Sequence, residues 1–318
     1  MTSIRSTRLG RFALGAAATG AGLAALSHLV ARDAERRVPA DGRFVQVGGA
    51  RLHFTDQGAG PALVMVHGLG GQLRNFTYAL ADRLAGDFRV VAVDRPGSGY
   101  SRAAPGPWPD VRAQGRLVAE FVETLGLDRP VLVGHSLGGA VALAAAVQAP
   151  ERVGGLALLA PLTRPLDKAP EAFRLLQRDS ALARSLIART VGVPLGRLTA
   201  PASLKLIFAP DPVPDDFPVR GGGLLALRPA NMEANSFEIS AAKDDMEALV
   251  PRYGAIRQPV SILYGRGDNL LDPELHGRRT ADEIPGGELE LIDGGHMLPV
   301  THPAQTEAFV RRAAARRV

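Results

Sequence analysis

The chain contains no cysteine. That excludes disulfides, cysteine-ligated metals and a thiol nucleophile, and it leaves the redox compartment unmarked. It also lacks internal repeats and low-complexity tracts, so nothing interrupts a packed globular chain. A basic surplus is missing where a nucleic-acid surface would need one. The formal charge is +5 and the pI near 10, yet residues 1–40 carry a net +4 and residues 311–318 another +4, leaving the body between them at −3. With no nucleic-acid motif either, nucleic acid is set aside as a partner. What the chain has in quantity is apolar: 46% of its 318 residues are hydrophobic, ample for a sizeable core in one domain with an insertion or in two small domains.

The basic N-terminus carries the first message. Arg5, Arg8 and Arg11 precede twenty charge-free residues, Phe12 to Ala31, and Arg32, Arg36 and Arg37 come after them. At ~1.5 Å per helical residue the run reaches ~30 Å, the hydrocarbon thickness of a bilayer. A membrane anchor formed by this single segment is expected; a signal cleaved near Ala25-Leu26-Ser27, giving a secreted or periplasmic protein, and a surface helix or disordered leader are the alternatives. Three Arg on either side leave orientation undecided by charge. Residues 32–41 read as a linker, so residues 1–42 form an anchor or signal segment separate from the folded body.

From Arg43 onward strands and helices alternate. Phe44 to Val47 and Arg51 to Thr55 around Gly48-Gly49 predict a β-hairpin. Apolar strands are expected at Pro61–Val66, Phe88–Val93, Val131–Val133, Val153–Leu159, Val260–Tyr264 and Leu289–Ile292, with helices at Phe76–Leu84, Val111–Leu125 and after Pro303. This pattern predicts an α/β architecture with a mostly parallel eight-stranded sheet flanked by helices. Between Pro161 and Pro259 no convincing strand occurs. Helical stretches at Phe173–Thr190 and Met232–Leu249, broken by Pro210-Asp211-Pro212-Val213-Pro214 and Gly221-Gly222-Gly223, predict a helical cap inserted after the sixth strand. The division expected is core at 43–160, cap at 161–258 and core again at 259–318.

Everything is organised around Val131-Leu132-Val133-Gly134-His135-Ser136-Leu137-Gly138-Gly139. A buried strand turns into an Ala-rich helix around one serine, and the flanking glycines allow a bend tight enough to push Ser136 to its tip. The serine then sits beside the free amides of a helix N-terminus, the placement a nucleophile needs. Acyl transfer also needs donors for a developing oxyanion. The glycine-rich loop His67-Gly68-Leu69-Gly70-Gly71 comes directly after the third strand, so the N–H groups of Leu69 and Leu137 are the candidates. Asp94-Arg95-Pro96-Gly97-Ser98-Gly99-Tyr100-Ser101 reads as scaffold.

A serine hydroxyl requires a base, and the base a carboxylate to orient it. Among seven histidines, His296 stands after the last strand in Asp293-Gly294-Gly295-His296, where two glycines free the loop to project an imidazole. His67 and His135 support the strand-end loops, and His28, His53, His276 and His302 lie in the leader, a strand or helical stretches. For the acid, Asp268 stands directly after a strand in Tyr264-Gly265-Arg266-Gly267-Asp268, with Asp272 and Asp293 as competitors.

Taken together and in order, His67-Gly68, Asp94-Arg95-Pro96-Gly97-Ser98-Gly99, Gly134-His135-Ser136-Leu137-Gly138-Gly139, Gly265-Arg266-Gly267-Asp268 and Gly295-His296 resemble the α/β-hydrolase superfamily, in its capped branch, over about residues 43–315. The resemblance implies Ser136 as nucleophile, His296 as base, Asp268 as orienting acid, the amides of Leu69 and Leu137 as oxyanion hole, and no cofactor or metal. Relatives with an aspartate nucleophile, the epoxide hydrolases and haloalkane dehalogenases, are disfavoured by Ser136. Carboxylic-ester hydrolysis through an acyl-enzyme is the expected reaction. Amidase, cofactor-free haloperoxidase and carbon–carbon bond hydrolase chemistry are the alternatives, together with a binding protein of the same fold that has lost turnover. The insert is rich in Leu, Ile and Ala, with Phe173, Phe208, Phe217 and Phe237, which favours a small-molecule ester with an apolar acyl group. Arg228, Asn231 and Asn235 are expected to serve the helix that carries them rather than the site.

Overall fold

A computed structural model describes residues 3–178 and 180–318, and for residues 3–14, 16 and 175 the backbone alone. A single sheet of eight strands crosses the molecule: β1 (Arg43–Val47), β2 (Ala50–Gln57), β3 (Ala62–Val66), β4 (Arg89–Val93), β5 (Val131–His135), β6 (Gly155–Leu159), β7 (Val260–Gly265) and β8 (Glu288–Ile292). Their spatial order is β1-β2-β4-β3-β5-β6-β7-β8. The β1–β2 and β2–β4 pairs are antiparallel and all others parallel. The hairpin turns at Gly48-Gly49, whose φ values of 54° and 79° suit the tight turn that the twist of two short strands demands.

Strands β3, β5, β6 and β7 are buried along their whole length, as their unbroken apolar runs require when helices cover both sheet faces. Side chains alternate between two cores: Val64, Leu132, Leu158 and Ile262 feed one, and Leu63, Val133, Leu159 and Leu263 the other. The edge strand β8, Glu-Leu-Glu-Leu-Ile, is only half-buried, and its charges discourage further strand pairing.

Of the helices, α1 spans Ser3–Arg37, α2 Val111–Thr124, α3 Leu137–Gln148, α4 Ala181–Ile187, α5 Val193–Phe208, α6 Pro229–Leu249 and α7 Pro303–Ala315. Helix α2 starts where the Asp110 carboxylate accepts the Ala113 N–H at 2.7 Å, which satisfies one of the free amides of its first turn. Helix α3 is apolar all round and is buried from Leu137 to Ala146 between sheet and α2. On the opposite face α7 seals the second core with Phe309, Val310 and Ala313.

The helical insertion comes after β6 as the sequence predicts, but the helix expected over Phe173–Thr190 is divided. A 3-10 turn covers Glu171–Leu176, and α4 begins afresh where Ser180 Oγ accepts the Ala183 N–H. The helix expected at Phe76–Leu84 is likewise two short ones, Arg74–Thr77 and Ala81–Leu84.

The N-terminal segment departs most from expectation. The stretch read as a linker is the end of α1, and Val30, Ala34 and Val38 are buried. Val30 packs with Ala188, Val193 and Met232 of the insertion, Ser27 Oγ donates to the Thr190 carbonyl at 2.8 Å, and Glu35 pairs with Arg228 at 3.0 Å. The C-terminal half of α1 is therefore part of the cap layer. The physical reason is spacing: positions 27, 30 and 34 fall on one helical face, so small and apolar side chains there bury together. Among the described residues no helix is long and apolar enough to cross a membrane. Within the run read as an anchor, the side chains of residues 12–14 and 16, like those of Arg5, Arg8 and Arg11, lie outside those described.

Candidate active site

Ser136 stands between β5 and α3 with φ 54° and ψ −122°. A positive φ is costly for any residue with a Cβ, about 1–3 kcal/mol, and persists where the surroundings over-determine it. Here they do. The Ser136 N–H donates to the Leu159 carbonyl at 3.0 Å, and its own carbonyl accepts from Gly139 and Leu162, each at 2.9 Å. The two motif glycines are dictated by contact, since a Cβ on Gly134 would stand 2.6 Å from the Gly138 carbonyl oxygen, and one on Gly138 2.0 Å from that of Val66.

The loop after β3 passes over this bend so closely that a Cβ on Gly68 would lie 2.8 Å from that of Ser136. Leu69 belongs to this loop and Leu137 to the first turn of α3, where N–H groups lack intrahelical acceptors. The loop is held from behind by Arg95. Its backbone N–H donates to His67 Nε2 at 2.9 Å, and its guanidinium donates to the carbonyls of His67 (2.8 Å) and Gly68 (3.0 Å), to Gln114 (2.9 Å) and to Glu238 of α6. Because Arg95 donates to Nε2, the His67 proton is on Nδ1, which donates to the Gly68 carbonyl at 2.8 Å. Burial, and then the Arg95 charge, hold the His67 pKa well below its ordinary value, so this ring is a neutral strut. The run 94–101 is scaffold, as its turn-rich sequence suggests. Its ion pair with Glu238, 143 residues away, ties that scaffold to the cap.

His296 and Asp268 come together after β8 and β7. His296 Nδ1 lies 2.7 Å from Asp268 Oδ2, and Asp268 Oδ1 accepts the N–H groups of Leu270 (2.9 Å) and Leu271 (3.1 Å). Burial alone would raise the Asp268 carboxyl, but the His296 charge, its hydrogen bond and the two amides outweigh it, and the pKa is lowered. An ionised carboxylate at Nδ1 leaves His296 Nε2 as the acceptor. The competitors are elsewhere: Asp272 caps the turn after it through the Glu274 N–H, and the Asp293 side chain is 99% exposed. His135 lies beside His296 with ring centroids 5.0 Å apart, its Nε2 3.0 Å from the His296 carbonyl; burial, and then the repulsion between two imidazolium charges so close together, push its pKa down to about 3. His276, pushed down to about 4 chiefly by burial, takes the Thr163 N–H. Both are supports.

Ser136 and His296 border one cavity of about 520 Å³ between sheet and insertion. Gly68 and Leu69 are on its floor, and Phe173, Phe208 and Phe217 on its walls. Phe237 is absent from that wall and lies under Arg184. A second, much smaller cavity of about 30 Å³ meets the same serine from the side of Leu162 and Ile239. Tyr253, the insertion's one tyrosine, is turned away, buried with its hydroxyl on the Thr163 carbonyl.

Besides Glu238, two contributors escaped the sequence. Asn235, expected to serve only its helix, accepts the Gly70 N–H at 3.2 Å and borders the cavity. Asp211, within the Pro-rich run, accepts the Gly295 N–H at 2.9 Å and so holds the residue before His296. Arg228 does not cap its own helix as expected, and its side chain instead ties α6 to Glu35 of α1 and to the Tyr100 ring. Val30 and Ala34 of α1 also line the cavity, which the reading of residues 1–42 as separate did not foresee.

A mostly parallel eight-stranded sheet, a strained serine between strand and helix, and a helical insertion after β6 define an α/β-hydrolase fold. The alpha/beta hydrolase fold family matches residues 61–303, and the chain belongs to it. The chain is 28% identical over 280 residues to a 2-hydroxy-6-oxo-6-phenylhexa-2,4-dienoate hydrolase of Burkholderia cepacia, covering 82% of this chain and 89% of that one. A shorter match, 39% identical over 121 residues, is to the dihydrolipoyllysine-residue acetyltransferase component of the acetoin cleaving system of Cupriavidus necator; it covers 38% of this chain and about a third, 32%, of that protein. Among solved structures, a membrane phospholipase A described as a bacterial virulence factor superposes with a TM-score of 0.65 at 25% identity, over 97% of this chain and 99% of its own.

Proposed function

We propose that the protein is a serine hydrolase that cleaves carboxylic esters with an apolar acyl group through an acyl-enzyme. The observation that carries this reading is the convergence on one cavity of Ser136, held at positive φ, and His296, whose Nδ1 is engaged by buried Asp268. His296 Nε2 takes the Ser136 hydroxyl proton as Oγ bonds to the ester carbonyl carbon, and the N–H groups of Leu69 and Leu137 receive the oxyanion. The carbon–oxygen bond to the alcohol then breaks, and the alcohol leaves with the proton from His296. Water, deprotonated by the same nitrogen, attacks the acyl-Ser136 ester and releases the acid. The large apolar cavity suits the acyl chain. Membrane association through residues 12–31 belongs to this reading as attachment at the bilayer surface, since Ser27 and Val30 are packed on the insertion, and it is supported by the charge-free run and by the similarity to a membrane phospholipase A over nearly the whole chain.

The test is Ser136→Ala, which should fold normally yet lose essentially all ester turnover and all labelling by a serine-reactive phosphonate. Labelling that persists in the variant rejects Ser136 as nucleophile. A second reading, carbon–carbon bond hydrolysis of an acidic substrate, has the Burkholderia relative and the cavity-wall residues Arg37, Arg178 and Arg197 in its favour. Turnover of a dienoate with none of simple esters would select it.

A further inference from the structure

Eleven large apolar side chains stand exposed among the described residues, and eight of them lie on α1 or between residues 182 and 206. Leu182 and Leu186 are four apart on α4. Val191, Leu195 and Leu198 come next at spacings of four and three, and Leu26 and Leu29 are three apart on α1, so each set shares a helical face. The three segments are packed together through Ser27, Val30, Ala188 and Val193. Leu182 and Leu198 are each 79% exposed. Val191 and Leu195 are exposed and also line the 520 Å³ cavity, so the exposed apolar set includes part of the cavity lining. Clustered exposure of this kind marks an interaction surface.

Its charge identifies the partner. Residues 181–208 hold Arg184, Arg189, Arg197 and Lys205 and no carboxylate, and the end of α1, residues 26–37, carries Arg32, Arg36 and Arg37 against Asp33 and Glu35, a net +1. Arg189 pairs with Glu233 of α6, whereas Arg197 and Lys205 stand exposed beside Leu198 and Leu206. Exposed leucines interleaved with arginine and lysine fit the interface of an anionic bilayer, where the apolar chains enter the acyl boundary and the cations meet headgroup phosphates. A second copy fits worse, because pairing this face with itself would oppose like charges.

We infer that this face, formed by the end of α1 with α4 and α5, rests on an anionic lipid bilayer and opens the cavity toward the leaflet. A lipid ester then passes from the membrane to Ser136 along Val191 and Leu195. This last step rests on the serine-hydrolase reading, whereas the surface itself does not.

The test uses the full chain carrying Leu182→Glu, Leu186→Glu and Leu198→Glu together, none of which lines the cavity, and separately Lys205→Glu. Co-sedimentation is measured with vesicles of phosphatidylcholine alone and of phosphatidylcholine and phosphatidylglycerol in equal parts, in the wild type and in Ser136→Ala. The triple change should weaken binding to the mixed vesicles at least about tenfold, and Lys205→Glu should weaken it less. Hydrolysis of a long-chain ester held in the vesicles should fall in parallel, while turnover of a short soluble ester stays within about twofold. Binding unchanged by the triple variant, or equal wild-type binding to both vesicle types, overturns the proposal. A wild-type dimer made monomeric by the triple change, with vesicle binding unaltered, assigns the face to a second copy instead. If Ser136→Ala retains short-ester turnover, the hydrolase reading fails, and the sedimentation arm still decides the surface.

Discussion

His53 and His296 each hold Nδ1 within hydrogen-bond distance of a buried aspartate, 2.8 Å from Asp94 in one case and 2.7 Å from Asp268 in the other. What separates them is the space around the ring. His53 is enclosed by the rings of Phe44 and Tyr100 at 4.9 and 5.5 Å, and its Nε2 is buried without a polar partner. His296 borders the large cavity together with Ser136. The aspartates differ too. Asp94 accepts the N–H groups of Leu73 and Tyr100, two loop ends it draws together, whereas Asp268 accepts only from the two amides just beyond itself and from the histidine. A histidine–carboxylate pair is thus a structural brace or a prospective proton shuttle according to what its second nitrogen meets.

The comparison is broken most severely through Asp268. Asp268→Asn, which reverses the hydrogen bond that sets the His296 tautomer, should lower turnover by about 10⁴-fold with little loss of fold. Steady-state kinetics on the folded variant check this. A comparable loss in Asp272→Asn or Asp293→Asn, with Asp268→Asn active, would transfer the role. The opposite signature is expected at the brace. Asp94→Asn places an amide NH₂ where three donors converge, so denaturant unfolding should report a loss of about 2–4 kcal/mol, while turnover per folded molecule stays within about tenfold of wild type. A thousandfold drop in turnover with stability intact would erase the distinction between the two pairs.

A third buried aspartate sharpens it further. Asp245 on α6 faces no histidine; its carboxylate has the Val111 N–H at 3.3 Å, and burial, helped by nearby Asp110, pushes its pKa up to about 6. Because the folded state holds this proton more tightly than the unfolded chain, stability falls as pH rises from about 4 to about 6, and the deficit persists at neutral pH. Asp245→Asn should recover about 1–2 kcal/mol at pH 7.5 and almost none at pH 4, read as a rise of a few degrees in thermal midpoint at the higher pH only. Equal effects at the two pH values would show that this carboxyl does not titrate in that window.

The sheet and the convergence of Ser136, Asp268 and His296 were legible because both depend on short-range signals. Unbroken apolar runs mark strands covered on both faces, and glycines mark loops that need bare backbone. The order of these segments results from right-handed crossovers that bring strand ends to one edge. Asp211, Asn235 and Glu238 were not legible, since each acts across the gap between insertion and core on a loop far away in sequence. The end of α1 was misread for a related reason. Arg32 to Arg37 is polar as a string, and only the helical face shared by Val30 and Ala34, carried on to Val38, reveals that it is half-buried.

The ties from the insertion to the core reach loops on both sides of Ser136. Glu238 and Asn235 hold the glycine loop through Arg95 and Gly70, and Asp211 holds the histidine loop through Gly295. The cap of this protein is therefore not a portable module. Grafting residues 161–258 onto a relative without an arginine at the place of Arg95 would strand Glu238 as an unpaired buried carboxylate, a defect of about 3–5 kcal/mol. Any exchange of substrate range by recombination within this fold would have to move the loop residues together with the helices.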